Sequence, residues 1–209
     1  LVHHASNGRS VYSFCMCPGG VIAPAATAAS ETVVNGWSSS KRNGPFANSG
    51  LVVAVNPENW THLSEYGPLA AMEFQKRVEQ KAFEVTGSIQ APAQRMEDFI
   101  QRKVSKNLPK CSYQPGIVAA DLNEILPNFI AESLREGLVH FGNKMRGYRT
   151  NEALLVGVES RTSSPVRIPR DKETFRHVQI KNLFPCGEGA GYAGGIVSAA
   201  MDGMACANA

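Results

Sequence analysis

Near the end of the chain, residues 186–196 read CGEGAGYAGGI, five glycines in eleven positions. Gly189-x-Gly191-x-x-Gly194 matches the dinucleotide fingerprint letter for letter. The apolar run Leu183-Phe184-Pro185-Cys186 before it reads as a short strand. From about Gly194 to Ala207 the chain is Ile, Val, Ala and Met around Ser198 and Asp202, which predicts a tightly buried helix. Glycines let a backbone approach a ligand, and a helix start presents free N–H groups at a positive dipole end. A full mononucleotide-binding unit also needs a further strand and an acidic residue about 20 positions on. Only 15 residues follow Gly194, so that unit cannot be completed here. On spacing alone two readings stand: a structural turn, or the closing element of a site whose other parts lie upstream.

Composition narrows the class. The 209 residues are 43% hydrophobic and 19% charged, enough apolar material for a core and unlike a disordered chain. A net charge of +3 without a Lys/Arg block excludes an argument for nucleic acid. No apolar run approaches the roughly 18 residues of a membrane span. His3, His4, Asn7 and Arg9 stand where a secretion signal would be apolar. Five cysteines, an odd and sparse set, predict reduced thiols and a cytoplasmic protein. Cys15-Met16-Cys17 is too tight for a zinc knuckle and the five histidines are scattered, so no metal is expected.

Along the chain, strands are expected at 9–16, 21–23, 32–37 and 51–55, with 38–50 as a loop. Gly67-Pro68 opens a helix over 69–85, and 92–104 reads as a second, weaker one. Asp121 and Glu124 are spaced as a capping box before a short helix, and a longer helix follows from Pro127 to about Phe141. Residues 153–158 read as a strand, with 166–168 pairing to it across Ser163-Ser164-Pro165.

Four segments resemble the uncharacterised FAD-dependent dehydrogenases, a branch of the two-dinucleotide-binding flavoproteins. They are VYSFCMCPGG at 11–20, NGWSSSKRNGPFANSGLVVAV at 35–55, GVESRTSSPVRIPRD at 157–171 and FPCGEGAGYAGGIVSAAMDG at 184–203. The resemblance implies an FAD-dependent oxidoreductase acting on a small-molecule substrate, with NAD(P)H as a possible reductant. It implies an α+β fold: a mixed β-sheet substrate-side domain, a helical region, and the terminal strand-turn-helix of an FAD-binding domain. The corresponding divisions are 1–67, 68–150, 151–171 and 172–209. By position, Glu188 matches the acidic residue near the ribityl chain, and Gly187, Gly189, Ala190, Gly191, Gly194, Gly195 and Ile196 match the turn and helix start. Asp is common at that acidic position in related groups, so the longer Glu188 changes the contact geometry. The pyrophosphate loop that such flavoproteins carry on their first strand is absent from the 209 residues. The chain, beginning at Leu1, is therefore expected to be the C-terminal portion of a longer protein, to hold FAD weakly or not at all alone, and to self-associate or rearrange its C-terminus.

Three residues are candidates for the chemistry. Cys15 and Cys17 read as flavin-proximal or redox thiols, or as small residues packed at the Pro18-Gly19-Gly20 turn. Arg161 stands beside hydroxyls at 162–164, suited to a carboxylate or phosphate, or to a solvated turn paired to Glu159 or Asp171. The alternative function is a non-catalytic binding or structural module with a glycine-rich turn.

Overall fold

A computed structural model describes residues 1–209 and is α+β. Its contacts divide it into two units: Leu1–Asn56 with Lys76–Ser160, and Pro57–Gln75 with Arg161–Ala209. Helix α1, Ala70–Thr86, contributes to both.

The first unit holds all the sheets. Strands β1 (Val2–His4), β2 (Ser10–Cys17) and β5 (Asn48–Val53) form an antiparallel sheet in the order β1-β2-β5. Strands β3 (Gly20–Pro24) and β4 (Val34–Ser38) pair antiparallel. The third sheet is mixed: β6 (Ala91–Arg95) runs parallel to β7 (Ile117–Ala119) and antiparallel to β8 (Leu154–Val156).

Strand β2 alternates as a half-buried strand should, with Val11 and Ser13 inward and Tyr12 outward. Helix α4, Asn128–Lys144, answers with Ala131, Leu134, Leu138 and Phe141 on one face. These side chains join Val11, Val53, Met96, Phe99, Leu122 and Ile125 in the main core. Gly137 lets the helix approach β2: a Cβ there would stand 2.7 Å from Val11 Cγ1.

The expected helix over 92–104 is instead β6 followed by the short helix α2, Met96–Ile100. Pairing on both sides overrides the local pattern. Gly157 N–H donates to the Pro92 carbonyl (3.0 Å), and the fully buried Gln94 accepts from Leu122 N–H (2.8 Å) and donates to the Lys103 carbonyl (2.8 Å). Asp121 caps α3, Leu122–Ile125, by accepting from Asn123 N–H (2.9 Å). Strands β1 and β7 have only three residues each and carried no sequence signal.

The second unit is largely irregular. Pro57–Leu69 is a run of 3-10 turns broken at Trp60, Leu63 and Gly67. The segment 161–195 contains only an isolated bridge between Arg170 and His177. Two expected strands are therefore absent: 166–168 does not pair with β8, and 183–186 is not a strand. The expected C-terminal helix is present as α5, Ile196–Ala207. No helix in the chain is long and apolar enough to cross a membrane.

Candidate functional site

In the second unit, the glycine-rich turn is held by the loop at 164–170. Ile168 N–H donates to the Ala190 carbonyl (3.1 Å), and Arg167 Nε donates to the Gly191 carbonyl (3.2 Å). The Ser164 hydroxyl is shared between the Val166 and Gly189 carbonyls (2.7 and 3.2 Å). The Tyr192 hydroxyl returns to the Ile168 carbonyl (2.9 Å). Residues 166–168 thus lie against the turn, which explains why they do not continue a sheet. Gly191 is obligatory on two grounds: its φ is +82°, and a Cβ there would come 2.7 Å from the Val166 carbonyl oxygen.

An ion pair locks this turn to α5. Arg170 Nη2 donates to Asp202 Oδ1 (2.6 Å) and Arg170 Nη1 to Asp202 Oδ2 (3.0 Å), a bidentate pair in which both side chains are mostly buried. Arg170 Nη1 also donates to the Pro185 carbonyl (2.7 Å), and Gly187 N–H donates to Asp202 Oδ2 (2.8 Å). The guanidinium lies 3.7 Å from the centre of the Tyr192 ring. The hydrogen bonds from Arg170 and then Gly187 hold the Asp202 carboxyl below the usual carboxylate range. Neither Arg170 nor Asp202 was among the predicted site residues. The available signal was Asp202 itself, the one charge in an apolar helix.

Glu188 sits half-buried in the turn, where its carbonyl accepts from Gly191 N–H (2.9 Å) and its carboxylate has no protein partner. Ala190 is buried. A Cβ added at Gly187, Gly189 or Gly194 would meet nothing within 4 Å, so this backbone borders open space. Gly195 gives α5 no side-chain cap, and the first-turn N–H groups at Ile196, Val197 and Ser198 lack helical acceptors. Open glycine backbone beside an uncapped helix start leaves main-chain N–H donors accessible to an anionic group. Arg161 is exposed at the beginning of the irregular segment.

The other two predicted residues belong to the first unit. The register of β2 against β5 slips between Phe14 and Cys17, a β-bulge. Cys15 occupies it with φ +50°, and the Cys17 thiol donates to the Cys15 carbonyl (3.2 Å). Both thiols are free. Burial first, then the Glu159 carboxylate and Cys17, push the Cys15 thiol up. The thiol is thus protonated at neutral pH, the reverse of an activated nucleophile. Glu159 is the group that sequence reasoning treated only as a partner for Arg161. Its Oε2 lies 3.1 Å from where a Cβ on Gly50 would be, beside the Phe14 ring, and burial pushes its carboxyl up.

Residues 1–162 match the family described as FAD-dependent protein, C-terminal domain-like. The chain belongs to that family. The stretch matching the FAD-dependent C-terminal domain ends within two residues of the first unit's boundary at Ser160. The assignment therefore does not draw on the glycine-rich turn. A Clostridium beijerinckii protein described only as uncharacterized is 45% identical over 199 residues, 94% of this chain and 37% of its own length. The chain thus spans just over a third of that relative.

Proposed function

We propose that this chain is part of an FAD-dependent oxidoreductase that acts on a small molecule in the cytoplasm, with NADH or NADPH as reductant. The observation that carries the reading is the match of 162 residues to an FAD-dependent protein family. The glycine-rich turn adds to it: Gly187, Glu188, Gly189, Ala190, Gly191, Gly194, Gly195 and Ile196 would form the flavin-facing edge. When bound, the flavin supplies hydride and electron transfer. The chain's own part is electrostatic and positional. The N-terminal turn of α5 presents N–H donors that favour negative charge on a bound group, by about 0.3–1 kcal/mol for an exposed helix end. The Arg170–Asp202 pair fixes the glycine backbone relative to that helix. In the first unit, burial raises the Glu159 carboxyl above the usual carboxylate range, which favours its protonated form, and Cys15 is a neighbouring neutral thiol.

The test is expression of the complete reading frame that contains this stretch. The purified protein is expected to be yellow, with one flavin per chain, and to bleach anaerobically on addition of NADH or NADPH. The 209-residue stretch alone is expected to retain little FAD, because it contains no first-strand pyrophosphate loop. A colourless complete protein that takes up no added FAD overturns the proposal.

A further inference from the structure

A cleft of about 590 Å³ opens within the second unit, lined by Arg167, Pro169, Arg170, Lys172, Phe175 and Tyr192. That volume lies within the range of small-molecule sites, roughly 300–1,000 Å³. We propose that the cleft binds a phosphomonoester carried on a flat ring: a nucleoside monophosphate or an aryl phosphate. Only Tyr192 is shared with the turn assigned to flavin, and the inference does not rest on that assignment.

Charge on the lining decides the anion. Arg170 is neutralised by Asp202. Lys172 and the Nη groups of Arg167 have no carboxylate partner; Arg167 uses only Nε, on the Gly191 carbonyl. The adjacent Asp171 carboxylate is turned away, accepting from the N–H groups of Glu173 (3.0 Å) and Thr174 (2.8 Å) and from the Thr174 hydroxyl (3.0 Å). Two cations without a carboxylate partner suit a doubly charged phosphate ester better than a singly charged carboxylate.

Flat groups on the same lining decide the ring. The Arg170 guanidinium lies over both Tyr192 (3.7 Å) and Phe175 (4.6 Å), and Arg167 lies over Tyr192 (4.5 Å). Rings and guanidiniums thus form a stack whose members a planar ligand can extend. Phe175, whose φ of +56° is uncommon for a bulky side chain, places its ring on the cleft wall.

Calorimetric titration of the 209-residue chain with AMP, phenyl phosphate, adenosine and benzoate tests the proposal. At least one phosphate ester is expected to saturate a single site, and the tighter of the two identifies a nucleoside or a simple aryl ligand. Adenosine and benzoate are expected to bind at least about tenfold more weakly, as loss of a charge-assisted contact implies. Lys172→Glu is expected to weaken the ester by about tenfold or more, and Lys172→Ala by less. The Lys172 side chain makes no hydrogen bond or ion pair, so these variants keep the fold, which circular dichroism verifies. No saturable binding of either ester at millimolar concentration overturns the proposal. So does equal affinity for benzoate or adenosine, or full affinity in Lys172→Glu. Failure of the flavin reading would show in the spectrum of the complete protein and would leave these titrations unchanged.

Discussion

Replacing Asp202 by Ala removes the acceptor of three hydrogen bonds: two from Arg170 (2.6 and 3.0 Å) and one from Gly187 N–H (2.8 Å). The Arg170 guanidinium, with 8% of its side chain exposed, is left without a counter-charge. Breaking a buried pair by removing one partner costs about 3–5 kcal/mol. Asp202 is 14% exposed, so water can partly replace it, and a value of about 2 kcal/mol follows once the cost is reduced for that access. Two kcal/mol corresponds to about a 30-fold change in the local opening equilibrium. The assay is amide hydrogen exchange at Gly187, whose N–H the carboxylate holds directly. Exchange should accelerate about 30-fold in Asp202→Ala. Arg170→Met keeps the stem and removes the charge. In the double variant the second substitution should cost much less than alone, giving a coupling of similar size. The pH dependence has a definite sign. The Asp202 carboxyl is depressed in the folded chain, so its contribution is present above the ordinary Asp value of about 3.9 and is lost as pH falls through the lower folded value. Protection at Gly187 should therefore fall only in that acid range. Unchanged Gly187 exchange in Asp202→Ala, or strictly additive effects with Arg170→Met, would refute the reasoning.

Glu159→Gln should stabilise the chain at neutral pH. The folded carboxyl is raised, so its contribution is present below the ordinary Glu value and is lost as pH rises through the folded value; melting curves at pH 5 and pH 8 should converge in the variant. Gly137→Ala should destabilise despite gaining about 1 kcal/mol in helix propensity, because the new Cβ meets Val11 Cγ1 at 2.7 Å and overpacking costs about 1–3 kcal/mol; urea denaturation showing a net gain would contradict this. On α5, Ile196, Val197, Met201 and Met204 are 92%, 71%, 65% and 66% exposed, so the isolated chain should self-associate. Light scattering should report a mass above 22.5 kDa that Val197→Glu reduces, and a monomer with intact α5 would count against it.

The elements that declared themselves in sequence were those whose own residues carry the period. Helix α4 was legible from the helical spacing of Ile125, Leu126, Phe129 and Ile130 that leads into it, and β5 from the apolar run at 51–55, although its first three residues, 48–50, lie in the expected loop. Helix α5 was legible from composition, but its burial was not: small apolar residues all round predict a covered helix, and within this chain four large ones face solvent. Strand β6 falls in a segment that reads as a helix, because APAQR has no alternation and carries a proline at its second position, and only partners at 117–119 and 154–156 make it a strand.

Resemblance to a flavoprotein family implied the α+β class; the chain's own residues determined the turn at Gly191 and the apolar helix after it. These are properties of single residues and short windows, where propensity and φ preference act locally. Tertiary structure alone decided that Arg170 and Asp202, 32 positions apart, clamp the glycine turn, and that Glu159 lies over Gly50 beside Phe14. Such pairings depend on which distant segments the core brings within a few ångströms. No local preference encodes them, because charge and hydrogen-bond complementarity become visible only after the chain has closed.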